Sequence, residues 1–255
     1  MSNTINFQIN ELNSMKKYPK KLFYKGDTSL LKKRKVSIIG SRRPNSYSKQ
    51  FTHKIANELS KRDICIVSGA AMGIDAISHN ATVDFNTIAV VANGLDIRYP
   101  AVNTKLIKQI EQKGLMLSSY EADEKARAYT FVQRNEIVVA LGEILIVSEA
   151  DEKSGSLTSV DFALKMGKKV YTLPHRLNES IGTQKLVQKG FIEPIYNLEN
   201  FLSIFGEIEE KKDELSIYLN SFPKYDEAVQ KYGNKIFELE LEGQIKIENG
   251  LIKPF

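Results

Sequence analysis

The chain has 255 residues, 42% apolar and 26% charged, a composition that excludes wholesale disorder and allows a core without covalent staples. Its single cysteine, Cys65, excludes an internal disulfide framework and a cysteine-based zinc site. The net charge of +5 divides unevenly: residues 206–255 hold 7 Lys against 11 Asp+Glu, whereas residues 1–205 hold 29 Lys+Arg against 20 Asp+Glu. A basic body fits a polyanionic partner, and equally a solvated lysine-rich surface. No apolar run approaches the roughly 18–20 residues of a membrane-spanning helix. Residues 1–11 are polar and predict no signal peptide. A cytoplasmic protein with no membrane contact is expected.

Residues 1–35 are lysine-rich, show little periodicity and read as an N-terminal arm. Residues 36–40 (VSIIG) are almost wholly apolar and closed by Gly40, as in a strand buried on both faces. Residues 47–62 place Phe51, Ile55 and Leu59 at helical spacing. Strands follow at 64–68 (ICIVS), 87–92 (TIAVVA), 115–118 (LMLS), 144–148 (ILIVS) and 170–173 (VYTL). Helices fall between them at 74–83, 104–112, 131–141 and 157–166, and Gly182-Thr183 opens another short one. This alternation over residues 36–205 predicts right-handed βαβ units, hence an α/β domain with a mostly parallel sheet and helices on both faces. A charge run at 207–214 then reads as a linker. Three short helices, at 215–219, 226–232 and 235–242, precede a hairpin at 244–253 centred on Asn249-Gly250. That order makes residues 206–255 a small winged-helix-like module.

Ligands of doubly wound sheets sit at the carboxyl ends of the strands, so the loops there are where chemistry belongs. After the first strand comes Gly40-Ser41-Arg42-Arg43-Pro44-Asn45-Ser46. Gly40 permits a tight turn, the following helix start offers free N–H groups, and the two arginines add bidentate phosphate donors. The pattern is neither GxGxxG nor GxxxxGK[ST]. A capped turn with exposed arginines is the plainer alternative. The second loop, residues 68–75 (SGAAMGID), is small enough for a close backbone approach to a ligand or for helix–strand packing. Asp75 and His79 share a helix face, as an orienting pair or in a local hydrogen bond. Ser154-Gly155-Ser156 forms another anion-friendly helix start. His53, His79 and His175 lack metal-ligand spacing, and Cys65 lies inside a strand. Neither metal nor cofactor is expected.

Taken in order, IIGSRRPNSYS (38–48), VSGAAMGIDAISHNA (67–81), NGLDIRYPAVN (93–103), FVQRNEIVVAL (131–141), EADEKSGSLTS (149–159) and GTQKLVQKG (182–190) resemble the DprA/Smf family of DNA-processing proteins in bacterial natural transformation. The resemblance runs from about residue 22 to 205. It implies an extended Rossmann-like domain that binds single-stranded DNA without sequence preference, protects incoming DNA, loads RecA, forms a homodimer and turns over no substrate. Carried across, the family's G-S/T-R motif falls on Gly40, Ser41 and Arg42, with Arg43 and Ser46 adjacent. The F-x-x-R-N motif falls on Phe131, Arg134 and Asn135, and the S-G-S motif on Ser154, Gly155 and Ser156, with Lys153 before it. Lys125 and Arg127 lie where relatives supply basic residues. The implied DNA- and phosphate-binding residues are Gly40, Ser41, Arg42, Arg43, Ser46, Arg127, Arg134, Asn135, Lys153, Ser154, Gly155 and Ser156. In such a binder bases enter small apolar pockets or stack on rings such as Tyr47, Tyr99 or Phe131, which read equally well as core.

Two departures remove positive charge: Glu136 follows the R-N pair, and Met72 stands where the family often has arginine. The N-terminal SAM-like module of many relatives is expected to be absent or vestigial, as residues 1–35 are all that precede the first predicted strand. In the tail, the helix that would read DNA carries Glu238, Glu240 and Glu242, which repel phosphate; the tail is therefore expected to contact protein. The competing reading is a nucleotide phosphoribohydrolase-like enzyme of the LOG group on a related fold. Its PGGxGTxxE-type motif is missing, SGSLTS standing after the fifth strand.

Overall fold

The apolar runs become the central strands of one nine-stranded sheet. The computed structural model describes residues 3–208, 214–241 and 244–254, in two units that divide between Ile208 and Glu209. The first unit runs β1 (Asn3–Thr4), β2 (Phe23–Gly26), β3 (Lys35–Ile39), α1 (Ser46–Lys61), β4 (Cys65–Ser68), α2 (Ile74–Asn80), β5 (Thr87–Val90), α3 (Thr104–Lys113), β6 (Leu115–Ser118) and α4 (Ala128–Leu141). It continues with β7 (Ile144–Val147), α5 (Gly155–Lys165), β8 (Val170–Thr172), α6 (Ile181–Gln188), β9 (Glu193–Pro194) and α7 (Leu198–Ser203). The strand order is β1-β2-β6-β5-β4-β3-β7-β8-β9. All pairings from β6 to β9 are parallel.

Successive strand residues face opposite sides, and both sides are apolar here. Val36, Ile38 and Ile66 pack with Ile55 and Leu59 of α1, Ile74 of α2 and Leu202 of α7. Ile39, Val67 and Val147 pack with Ile137, Val138 and Leu141 of α4 and Val160 of α5. The result is the expected α/β sheet covered by helices on both faces.

Over residues 3–35 the predicted N-terminal arm is built into the sheet and core of this unit. β2 pairs antiparallel with β6, and β1 with β2. Ile9, Leu12, Leu22, Leu30 and Leu31 are buried in the same core cluster as α4 and α5. Lys35, 4% exposed, ties this segment down by pairing with Glu11 at 2.5 Å and donating to the carbonyls of Leu31 and Lys33. The buried apolar residues of this segment are few and irregularly spaced, so no periodic pattern marks it. Sequence periodicity also passed over β9 and α7.

The second unit holds α8 (Glu214–Leu219), α9 (Tyr225–Tyr232), α10 (Asn234–Leu241), β10 (Ile245–Glu248) and β11 (Leu251–Pro254). Leu219, Ala228, Ile236, Ile245 and Ile252 form its core. Asn249 (φ 52°) and Gly250 (φ 75°) turn the hairpin, both left-handed as a type I′ turn requires. An isolated bridge from Lys224 to Leu251 adds a short third pairing. Glu238 and Glu240 are exposed on α10. Glu242 and most of the predicted 207–214 linker lie outside the described residues.

Candidate nucleic-acid interface

From β3 the chain moves through β4, β5 and β6 on one side, then returns to β3's other edge with β7, β8 and β9. The loops after β3 and β7 therefore diverge and leave a crevice between them, at the topological switch point where such sheets bind ligands. The two loops are locked together. Ser41 N–H donates to the Glu149 carbonyl (2.8 Å), and Asn45 N–H to the Glu149 carboxylate (3.0 Å). Asn45 also caps α1, its side chain accepting from Ser48 N–H at 2.8 Å.

The small-residue loop between β4 and α2 serves this packing. Gly73 has φ +76°, and a Cβ there would lie 2.3 Å from the Ser41 carbonyl oxygen. Only glycine lets the loop pass under Ser41 and Arg42. Ile74 N–H donates to that same carbonyl at 3.1 Å. Behind the loop, Arg134 of α4 is 5% exposed and donates to the carbonyls of Gly69 and of Val90 (2.8 Å). The Asp75 carboxylate accepts from Gly69 N–H (3.1 Å) and Ala71 N–H (3.4 Å). Burial raises the Asp75 pKa, and the Arg134 charge opposes that rise. Asn103 donates to the Ala70 and Ala71 carbonyls, each at 3.0 Å.

His79 completes the strapping. Its Nε2 accepts from Ala70 N–H (3.3 Å), so its Nδ1 carries the proton and donates to Thr87 Oγ1 (2.7 Å), which donates to the Ile66 carbonyl. Burial holds the imidazole neutral, with its pKa pushed down to about 3. Asp75 and His79 thus share a helix face as loop anchors. Cys65, fully buried with its thiol pushed up to about 12, is core.

The crevice is a cleft of about 480 Å³. Gly40, Ser41 and Arg42 form one wall, Arg134 and Asn135 the base, and Ser154, Gly155 and Ser156 the other wall. Two carboxylates, Asp75 and Asp151, also border it. The free N–H groups of α5 open here. Ser154, its N-cap, makes no side-chain capping bond, and its buried hydroxyl has no partner among the described residues. An oxyanion would satisfy both needs. A smaller apolar cavity adjoins, lined by Met72, Val91, Tyr99, Pro100 and Phe131, and again by Arg42. The Tyr99 and Phe131 rings stand 6.2 Å apart, and the Arg42 guanidinium lies 5.4 Å from the Phe131 centroid.

Eight of the residues singled out from sequence meet in the cleft: Gly40, Ser41, Arg42, Arg134, Asn135, Ser154, Gly155 and Ser156. Four do not line it. Arg43 faces a separate depression beside α1, Ser46 is exposed in the first turn of α1, Arg127 is exposed at the start of α4, and Lys153 is exposed before α5. Arg134 lines the cleft, but its Nη1 is spent on backbone carbonyls rather than offered to a ligand. Tyr47 packs on Phe51 (4.7 Å) and His175 (5.9 Å) away from both cavities. Sequence reasoning missed Asn103 and the capping role of Asn45, which are legible only once the loops meet. Glu136 turns from the cleft and accepts from Lys16 N–H at 3.1 Å.

No helix among the described residues is long and apolar enough to cross a membrane. The model of the family described as DNA recombination-mediator protein A matches residues 7–206. DNA processing protein DprA of Bacillus subtilis (strain 168) is 37% identical over 198 residues, covering 76% of this chain and 65% of that protein. Streptococcus pneumoniae DprA is 36% identical over 176 residues, covering 68% and 62%. The chain thus spans a little under two thirds of these curated relatives. Among solved structures, DNA processing protein A from Helicobacter pylori, described for its unique single-stranded DNA binding mode, superposes with a TM-score of 0.78 at 42% identity. That match covers 80% of this chain and 95% of the other. Streptococcus pneumoniae DprA gives 0.74 at 32% identity, covering 81% and 75%. With the ordered loop motifs, the switch-point cleft and these matches in agreement, the chain belongs to the DNA recombination-mediator protein A family, the DprA/Smf proteins.

Proposed function

We propose that this chain binds single-stranded DNA without sequence preference. A backbone phosphate sits in the cleft against Ser41, Arg42 and the first turn of α5, and the neighbouring base stacks on the Phe131 and Tyr99 rings at the mouth of the small apolar cavity. The observation that carries this reading is that Arg42 borders both compartments. A phosphate site and an aromatic-lined slot side by side match the repeating chemistry of a nucleotide. Few base-edge hydrogen-bonding groups line the slot, which favours stacking over sequence readout.

The recombination-mediator description of the family supports a hand-over of the bound strand to RecA; we propose in addition that the protein acts as a homodimer, protects incoming DNA and catalyses no reaction of its own. The exposed acids of α10 support a protein-contacting role for the C-terminal unit, since they repel phosphate.

Fluorescence polarisation with a labelled ~20-nucleotide strand and its duplex, at two salt concentrations, tests DNA binding. Arg42→Ala is expected to weaken single-strand binding by about 10-fold or more, removing a charge-assisted phosphate contact. Unchanged affinity in that variant would remove Arg42 from the site. In the same series, a chain ending at Gly206 is expected to keep its strand affinity within about two-fold while losing any stimulation of RecA filament assembly. A large affinity loss on truncation would assign the C-terminal unit to DNA instead.

A further inference from the structure

Arg42 borders a third compartment. Beside the β3–α1 turn lies a depression of about 530 Å³ between the first turn of α1 and the length of α2. Arg42, Arg43 and Lys49 line it, with Gly73, Ile77 and Asn80 of the facing loop and helix. All three cationic residues are exposed. No carboxylate lines the depression among the described residues. This contrasts with the first cleft, where Asp75 and Asp151 offset the positive charge.

The floor of the depression is built and held. Arg43 N–H donates to Ser41 Oγ at 3.1 Å, Ile74 N–H to the Ser41 carbonyl at 3.1 Å, and Gly73 packs directly beneath Arg42. Asn80 is anchored by donating to the Ala76 carbonyl at 2.9 Å. Arg43 and Lys49 therefore stand on a fixed frame, and with Arg42 they line one depression that no carboxylate among the described residues borders. Such an arrangement is relieved by a bound anion. It also shares Arg42 with the cleft that takes the first phosphate.

We infer that this depression is a second phosphate subsite, in which Arg43 and Lys49 hold the phosphate adjacent to the one in the switch-point cleft. The inference rests on the single-strand-binding reading and extends it by giving the strand a path. The backbone enters between β3 and β7, crosses the β3–α1 turn at Arg42, and leaves between α1 and α2. Arg42 then sits between consecutive phosphates, and the base between them faces the apolar cavity.

Salt titration of strand binding separates this from a diffuse charge effect. Each phosphate contact to a single strand contributes about 0.7 to the slope of log affinity against log salt. The full-length double variant Arg43→Ala/Lys49→Ala is expected to lower that slope by about 0.7 and to weaken binding of a ~20-nucleotide strand about 5- to 10-fold at about 50 mM KCl. Lys49→Glu is expected to act in the same direction. Lys54→Ala, which removes a charge from the same helix but borders a different groove, is expected to leave slope and affinity unchanged. If wild type binds with a strong salt dependence and the double variant matches it, the subsite is wrong and the binding proposal stands. An equal loss in Lys54→Ala also overturns the subsite, since net charge then explains the effect. If wild type does not bind the strand at all, both readings fall.

Discussion

Replacing Arg134 with methionine is expected to lower the stability of the first unit by about 3–5 kcal/mol. The side chain is nearly solvent-free, and its guanidinium satisfies the Gly69 and Val90 carbonyls, at the ends of two neighbouring parallel strands. Methionine fills much of the volume but donates nothing. Two buried carbonyls lose their donor, at about 1–3 kcal/mol each, and the buried Asp75 carboxylate loses the positive charge that offsets its desolvation. The loop from Gly69 to Gly73 then loses one of its anchors beneath Ser41 and Arg42, so strand binding is expected to weaken together with stability. Urea unfolding followed by circular dichroism suits a chain with no tryptophan. The comparison that decides the role of Arg134 is with Arg42→Ala, which is expected to lose binding with an unchanged unfolding midpoint. If Arg134→Met unfolds at the wild-type urea concentration yet loses the strand, Arg134 is a ligand contact and the strut assignment is wrong.

The second large effect is a pH dependence. His79 is neutral and buried, with its pKa pushed down to about 3 from an ordinary 6.5. In the unfolded chain the imidazole takes up a proton as pH falls through 6.5, whereas in the folded chain it does not. The unfolded state therefore binds more protons over that interval. The stability linked to His79 is fully present above pH 6.5 and is lost as pH falls from 6.5 towards 3. Between pH 7 and pH 5 the loss is about 2 kcal/mol. His79→Gln supplies one acceptor and one donor without titrating in this range. It is expected to start less stable at pH 7, but to lose about 2 kcal/mol less than wild type on going to pH 5. Equal losses in the two proteins would show that His79 takes up its proton in the folded state.

Much of the fold was legible because its signals are local. A strand buried on both faces needs an unbroken apolar run, and VSIIG, TIAVVA and ILIVS are such runs. Asn249-Gly250 carries the two left-handed residues of its hairpin. Residues 1–35 escaped because their pairing partner, β6, lies some ninety residues further along the chain. An antiparallel strand of four residues, flanked by one of two, has too few positions for a period to show.

The cleft divides the same way. The amino-acid sequence alone determined that Gly40-Ser41-Arg42 and Ser154-Gly155-Ser156 each join a strand end to a helix start. Parallel topology then places both at the carboxyl ends of the strands, where free N–H groups attract anions. Only the tertiary structure decided which charged residues face a ligand. Arg134 and Arg42 are the same residue type in equally suggestive motifs. Arg134 turns inward because carbonyls 65 and 44 residues away converge on its guanidinium, whereas Arg42 stays exposed beside the Phe131 ring and borders the open cleft, the apolar cavity and the depression beside α1. A buried guanidinium goes wherever unpaired acceptors gather, and that gathering is a property of the folded loops.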